Sequence, residues 1–307
     1  MPDREGAMRK VCAGKVASAA WMLLAIAGAA HAAPGDEEQR KVWDDVGQAA
    51  KKGPVDVPLF DEAVLHVPAG EVFVPQPQAD RLLNLFGNPG SNPEMPGLLL
   101  PRAPNPNWYM PLRFHKSGYI RDDDAQTWNA DEMLKSLRVG TAEQNRERVK
   151  LGQPAMDIVG WSEPPRYDAA TQRLSWSLAS RLVGAKADDP VDVNDNTYAL
   201  GRDGYFSMNM VTSLKALAAL RPVAERQLAA LEFRPGKRYA DFDSKSDPVA
   251  GYGLAALVMA DTGAPAPGLA ARDLMWILPV AAVLGIALVV ALRRKPRAVS
   301  PQSARGA

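Results

Sequence analysis

Side chains able to bind a cation or move a proton gather most densely in "SGYIRDDDAQTWNADEML", Ser117 to Leu134. Three consecutive aspartates, Asp122, Asp123 and Asp124, are followed by Asn129 and Asp131. A metal site needs several oxygen ligands converging on one point. Neighbouring residues of an extended chain point to opposite sides, so three adjacent carboxylates cannot all converge. One or two of them could ligate with help from Asn129 or Asp131. The competing reading is structural, because aspartate bonds nearby backbone N–H groups in turns and at helix starts. We therefore expect a turn that ends a strand and starts a helix, with Asp122, Asp123, Asp124 and Asp131 as the candidate ligands if a site exists.

Other constellations are weaker. "DVNDN", Asp192 to Asn196, is similar to the calcium-binding run of cadherin repeats, but it stands without the further acidic motifs such a site needs. "ADFDSKSDP" offers Asp241, Asp243 and Asp247, yet lacks the glycine and terminal acid of a calcium loop and has Tyr252 in the latter place. Beyond His31, which falls in the leader described below, the histidines are His66 and His115. His115 shares a strand face with Arg113, which predicts a solvated pair, and His66 in a short hairpin predicts a structural role. No G-x-S-x-G turn presents a serine, and no P-loop, GxGxxG or HExxH is present. A glycan-cleaving pair of carboxylates needs only two acids, and nothing singles out which two. Trp128, Trp161 and Trp176 could stack on a sugar or a peptide, although aromatics in alternating strands are more often core. No catalytic residue, cofactor or metal is assigned.

The elements that must position these residues are hairpins interleaved with helices. Residues 36–52 predict a surface helix with i,i+4 pairs Asp36/Arg40 and Glu37/Lys41, ending at Lys51-Lys52-Gly53. Val64 to Pro75 reads as a hairpin around Pro68-Ala69-Gly70, and "QADRLLNLFGN" as a short helix ended by Gly87. Gly97 to Pro101 predicts a strand. In "WYMPLRFH", Trp108, Met110, Leu112 and Phe114 alternate with Tyr109, Arg113 and His115. Asn129 with Glu132 gives a capping-box-like start to a helix with Met133, Leu134, Leu137, Thr141, Asn145 and Val149 on one face. Asp157 to Trp161 and Leu174 to Leu182 predict a long hairpin joined by "PPRYDAATQR". "NTYAL" and "YFSMNMV" predict a second, turning at Gly201 to Gly204. Leu214 to Leu231 predicts a helix interrupted at Arg221-Pro222, and Asp247-Pro248 the cap of a last apolar helix to Met259. Without a regular βαβ repeat, the pattern predicts one α+β domain: an antiparallel sheet of hairpins packed with helices.

The ends of the chain carry a different signal. Arg9, Lys10 and Lys15 precede the apolar run Val16 to Ala30, and Ala30 and Ala32 fit a cleavage site, so 1–32 reads as a signal peptide, with translation starting at Met1 or Met8. Leu274 to Leu292 is uncharged and long enough to span a bilayer, with Trp276 near one end. Arg293, Arg294, Lys295 and Arg297 follow, which places the basic tail 293–307 in the cytoplasm by the positive-inside rule. Residues 33–260 are then the extracytoplasmic domain and 261–273 a Pro/Gly/Ala linker. Residues 34–292 hold 27 basic and 33 acidic side chains, a balance of −6, whereas the tail carries +5. The acidic body is unsuited to nucleic acid, while the span and tail predict contact with membrane lipid. Cys12, the one cysteine, lies in the leader, so the mature domain has no disulfide and no thiol site. An ordinary core must hold it, and a length of roughly 230 residues suffices for one.

The stretch Gly118 to Leu134, with "VGWSEPPRYDAATQRLSWSL", "NTYALGRDGY" and "ALEFRPGKRYADFD", resembles domain-of-unknown-function family 2167 of bacterial proteins over about residues 40–260. The resemblance implies an envelope protein with an exported domain and a C-terminal anchor, and no known activity; the span and basic tail place it in the bacterial inner membrane. The expectation is a non-enzymatic module that binds an envelope protein or component. The alternative is a metal- or carboxylate-dependent hydrolase of envelope polymers.

Overall fold

The computed structural model describes residues 36–260, apart from 87, 89, 90, 104, 105, 126 and 151. The predicted signal peptide, linker, span and basic tail lie outside the described residues, as does Gly87, the predicted stop of the short helix. Among the described residues no helix is long and apolar enough to cross a membrane.

As the hairpin pattern predicts, antiparallel sheets pack with helices. The large sheet has eight strands: β1 (Lys51–Lys52), β4 (Glu71–Pro75), β5 (Gly97–Pro101), β6 (Met110–His115), β10 (Tyr205–Ser213), β9 (Asp192–Leu200), β8 (Arg173–Leu182) and β7 (Met156–Asp168), in that spatial order. A smaller sheet orders β11 (Leu231–Phe233), β3 (Ala63–Val67) and β2 (Val55–Leu59). The helices are α1 (Asp36–Ala49), α2 (Gln78–Leu85), α3 (Ala130–Lys150), α4 (Leu214–Ala230) and α5 (Leu254–Ala260).

Both faces of the large sheet are covered. On the first, Leu112 and Phe114 of β6 and Phe206, Met208 and Met210 of β10 pack against Val57, Leu65 and Phe233 of the small sheet and Leu220 and Ala224 of α4. Each fully buried side chain of this kind is worth roughly 1.5–3 kcal/mol of transfer free energy. On the second face, α1 and α2 lie over Val72, Val74, Leu98, Leu100, Tyr109 and Val211. At its other end α3 and α5 lie over Leu174, Trp176, Leu178, Tyr198, Leu200 and Tyr205.

Several expectations are corrected. The helix α1 stops at Ala49, and Lys51 and Lys52 pair with Phe73 and Val72 as a strand. The segment Val64 to Pro75 is not a hairpin, because β3 and β4 belong to different sheets. Instead β1–β2 and β3–β4 are the two arms of one bent hairpin. Its outer half pairs β2 with β3 and its inner half pairs β1 with β4. At the bend Gly53 N–H donates to Glu71 O at 3.0 Å. A Cβ on Gly53 would drive into the Pro68 carbonyl, so only glycine lets the arms cross there. The local pattern shows two apolar runs around a Pro-Ala-Gly turn, and it does not show that they face different sheets.

Elsewhere α4 runs unbroken through Pro222. The proline removes one helical hydrogen bond, and burial of Leu217, Leu220 and Ala224 on either side holds the helix together. Strand β7 continues through Pro164 and Pro165, which the sequence pattern places in the connection, and the hairpin turns at 169–172. It lies at the sheet edge, where prolines are tolerated because one row of N–H groups has no strand to pair with. That edge is capped by α3 side chains. Arg138 donates to the carbonyls of Ile158 and Val159, and Asn145 both donates to and accepts from the Met156 backbone at 2.7 and 2.8 Å. Asn145 thus bonds the edge strand, and Val149, expected on the buried face of α3, is exposed.

Candidate functional site

The three aspartates serve three separate places. Asp122 accepts the Tyr167 hydroxyl proton at 2.8 Å, which raises the phenol pKa together with burial, the larger cause. Asp123 is exposed. The Asp124 carboxylate accepts the Leu254 and Ala255 N–H groups at 3.0 Å each, capping the start of α5. Gly253 makes this approach possible, since a Cβ there would lie 2.6 Å from an Asp124 oxygen. The expected cap, Asp247, instead forms a two-pronged pair with Arg202 at 2.7 and 2.8 Å, and that pairing holds its pKa well below the usual carboxylate range. Asp131 is exposed at the start of α3, where the Asn129 side chain accepts the N–H groups of Asp131 and Glu132 at 3.0 and 3.1 Å. Among the described residues no group of three or more His, Cys, Asp or Glu could hold a metal ion.

The other candidates disperse as well. Asp195 points to the first face and accepts from Ser177, whereas its neighbours Asn194 and Asn196 point to the second. Asp241 and Asp243 accept N–H groups of their own loop, from Gly236, Arg238 and Lys245. His66 is exposed on β3 and bridges Asp56 at 2.7 Å and Glu232 at 3.5 Å, and the Asp56 bond raises its pKa. Trp161 donates to the Ala130 carbonyl at 3.0 Å, Trp128 is partly buried, and Trp176 is inside the core.

The expectation of a solvated Arg113 and His115 is overturned. Arg113 is 4% exposed. The His115 ring stacks on Tyr205 at 4.6 Å, approaches Ser207 Oγ at 3.1 Å and lies 3.5 Å from Glu94. Burial and then the Arg113 charge push the imidazole pKa down to about 3, so it is neutral. The physical reason is that helices also cover the second face, and a sheet buried on both sides has no wet row.

These two residues begin a polar band that the sequence motifs did not reveal as a unit. Strand register sets Arg113 of β6 opposite Ser207 of β10, Asn209 of β10 opposite Asn196 of β9, and Asp192 of β9 opposite Ser180 of β8. Asn194 lies between Asn196 and Asp192 on the same face. The band crosses the sheet diagonally between the apolar residues covered by α1 and α2 and those covered by α3 and α5. Asn196 is 1% exposed and Asn209 2%, while Ser207, Ser180 and Asp192 are also buried. The oxygens Asn194 Oδ1, Asn196 Oδ1, Asn209 Oδ1 and Ser180 Oγ, with Trp176 Nε1 in the same cross-strand row as Asn196, have no hydrogen-bond partner.

Such groups cost about 1–3 kcal/mol each when buried unsatisfied. Apolar residues at the same positions would join the two flanking clusters into one core, so a fold selected for stability alone has no use for them. Ladder bonding already occupies the interior backbone groups of β9 and β10, so the band offers side chains only. It presents neutral donors and acceptors, with Arg113 at one end beside Glu94 and Asp192 towards the other. The available sequence signal was the alternation itself. "YFSMNMV" sets Ser207 and Asn209 on one face and "DVNDN" sets Asn194 and Asn196 on one face.

A family described as "Protein of unknown function (DUF2167)" matches residues 50–292 of the chain. No curated protein matches the sequence. The chain is similar to the solution structure of cyanobacterial PsbP (CyanoP) from Synechocystis sp. PCC 6803, with a TM-score of 0.33 and 10% identity, covering 60% of this chain and 91% of that chain.

Proposed function

The chain belongs to that family of unknown function, and from this premise we propose that it is a non-enzymatic binding module held at the bacterial inner membrane. In this reading Leu274 to Leu292 anchors it, the basic tail meets lipid on the cytoplasmic side, and the folded domain faces the periplasm, where it takes an envelope component. The observation that supports binding is the diagonal row of unpartnered side-chain amide oxygens on β9 and β10, those of Asn196 and Asn209 on buried residues. A hydrolase would instead draw on carboxylates brought together. The bonds made by Asp122 and Asp124 and the exposure of Asp123 and Asp131 give that alternative no support.

The test is to purify the full-length chain from its own membrane in mild detergent and compare its co-purifying molecules with those of the Asn196→Leu/Asn209→Leu variant by mass spectrometry. The expected result is a component held by the natural chain and lost from the variant. Identical profiles would contradict the proposal.

A further inference from the structure

An open groove beside α1 lies apart from the polar band and has a different chemistry. It measures about 330 Å³, and Trp43 and Val46 of α1 face Val72 of β4 and Leu100 of β5 across it. Strand register puts Lys52, Val72 and Leu100 in one cross-strand row, so Lys52 shares the face of that floor. Arg102, two residues beyond Leu100, lines the groove as well. Lys52 and Arg102 are exposed, and neither has an ion-pair partner among the described residues. No acid lines the groove among those residues, although the body 34–292 is acidic overall.

Gly47 keeps the groove open. It lies in α1, where glycine weakens a helix relative to alanine. A Cβ there would meet nothing within 4 Å, so packing does not demand glycine at this position. What the missing side chain leaves is room along the groove.

The occupant follows from these groups. Apart from the Trp43 indole N–H, the described lining side chains offer no neutral donor or acceptor. A peptide or a sugar would leave amides or hydroxyls unsatisfied against such walls, whereas a hydrocarbon chain loses nothing there. The two exposed cations then call for a negative charge at one end of that chain. An acyl chain with an anionic head has this form. In the proposed topology a bilayer of such molecules is within reach, since a linker as long as 261–273 spans about 40 Å when extended. We infer that this groove takes an acyl chain of an anionic phospholipid, with Lys52 and Arg102 holding the head group. The inference rests on the proposed membrane anchorage and not on the amide band.

The test places the full-length chain in nanodiscs of phosphatidylglycerol with a diazirine on one acyl chain, and maps the photo-adducts by mass spectrometry. Adducts are expected on residues 43–50 or 100–103 and on the span 274–292. Gly47→Leu, which fills the groove, should remove most of the groove adducts and leave those on the span unchanged. Lys52→Glu/Arg102→Glu should lower the groove adducts about 10-fold, and a phosphatidylcholine head on the same probe should act in the same direction. A labelled span with a bare groove, the result a protein occupant would give, would overturn the inference and leave the anchorage standing. Groove adducts indifferent to both Gly47→Leu and the charge reversal would overturn it too. A bare span would bring down the anchorage reading, and this inference with it.

Discussion

Trp176→Ala is expected to destabilise the protein by about 3–5 kcal/mol, the range for truncating a fully buried large aromatic. Trp176 is 1% exposed and meets Tyr198 edge-on, with ring centroids 4.8 Å apart, inside the cluster covered by α3 and α5. Alanine would leave a cavity between that cluster and the polar band, and the neighbouring strands cannot close it without breaking register. Trp176→Phe separates the two duties of the ring. It keeps an aromatic body in the same site, for a cost below about 1.5 kcal/mol if the core repacks. It also removes the unpartnered Nε1–H. Urea denaturation with a constant m-value reads the first effect, and retention of the co-purifying component reads the second. A loss under about 1 kcal/mol for the alanine variant would show that the band and the core are not joined through this residue.

Acidification is expected to unfold the protein through His115. Its folded pKa lies near 3, against the ordinary imidazole value of 6.5. Between those values the unfolded chain binds a proton that the folded chain refuses, so stability is fully present above pH 6.5 and falls as pH drops towards 3. At roughly 1.4 kcal/mol per pKa unit, the loss is about 2–3 kcal/mol by pH 4.5 and on the order of 4–5 kcal/mol in full. Neighbouring groups titrate as well. Burial raises the Glu94 pKa more than Arg113 lowers it, so its protonation on acidification works in the opposite direction. Asp247, depressed by its Arg202 pair, loses stabilisation only as pH falls below the ordinary aspartate range. The difference between the natural chain and His115→Phe, which keeps the stack on Tyr205, isolates the histidine. The natural curve should fall between pH 6.5 and 4.5 while the variant stays flatter. Parallel curves would contradict a buried neutral His115.

Much of the architecture was legible because local chemistry and tertiary packing agree. Gly97–Pro101, the alternating run into His115, and the hairpins β7–β8 and β9–β10 follow from period-two patterns bounded by turn residues. Asn129 opens α3 as a side-chain cap does, from its own position. The α5 cap could not be read that way, because it comes from Asp124, 130 residues before Leu254. Asp247 looked right locally and was already engaged by Arg202. The bent hairpin hid for a related reason: a two-residue strand and a Gly-Pro step carry no periodicity from which to infer a change of sheet.

The band was missed because alternation was read as one dry face and one wet face. Arg113, His115, Ser207 and Asn209 fall on the face expected to be wet. That expectation fails when both faces of a sheet are covered, and polar residues in a strand then become informative instead of ordinary. The acidic cluster drew attention because three aspartates in a row are conspicuous, while paired amides on strands 13 residues apart in sequence, Asn196 and Asn209, are not.

The central claim is that these amides are kept for a ligand and not for the fold. The most direct measurement pairs the unfolding free energy of Asn196→Ala/Asn209→Ala with its retention of the co-purifying component. Removing the orphan carbonyls relieves an unsatisfied polar cost that offsets the loss of the Asn196 N–H bond to the Asn194 carbonyl and opens only a small space, so stability should be about equal to that of the natural chain while the component is lost. A loss of more than about 2 kcal/mol of stability, with the component still retained, would contradict the claim and assign the band to the fold.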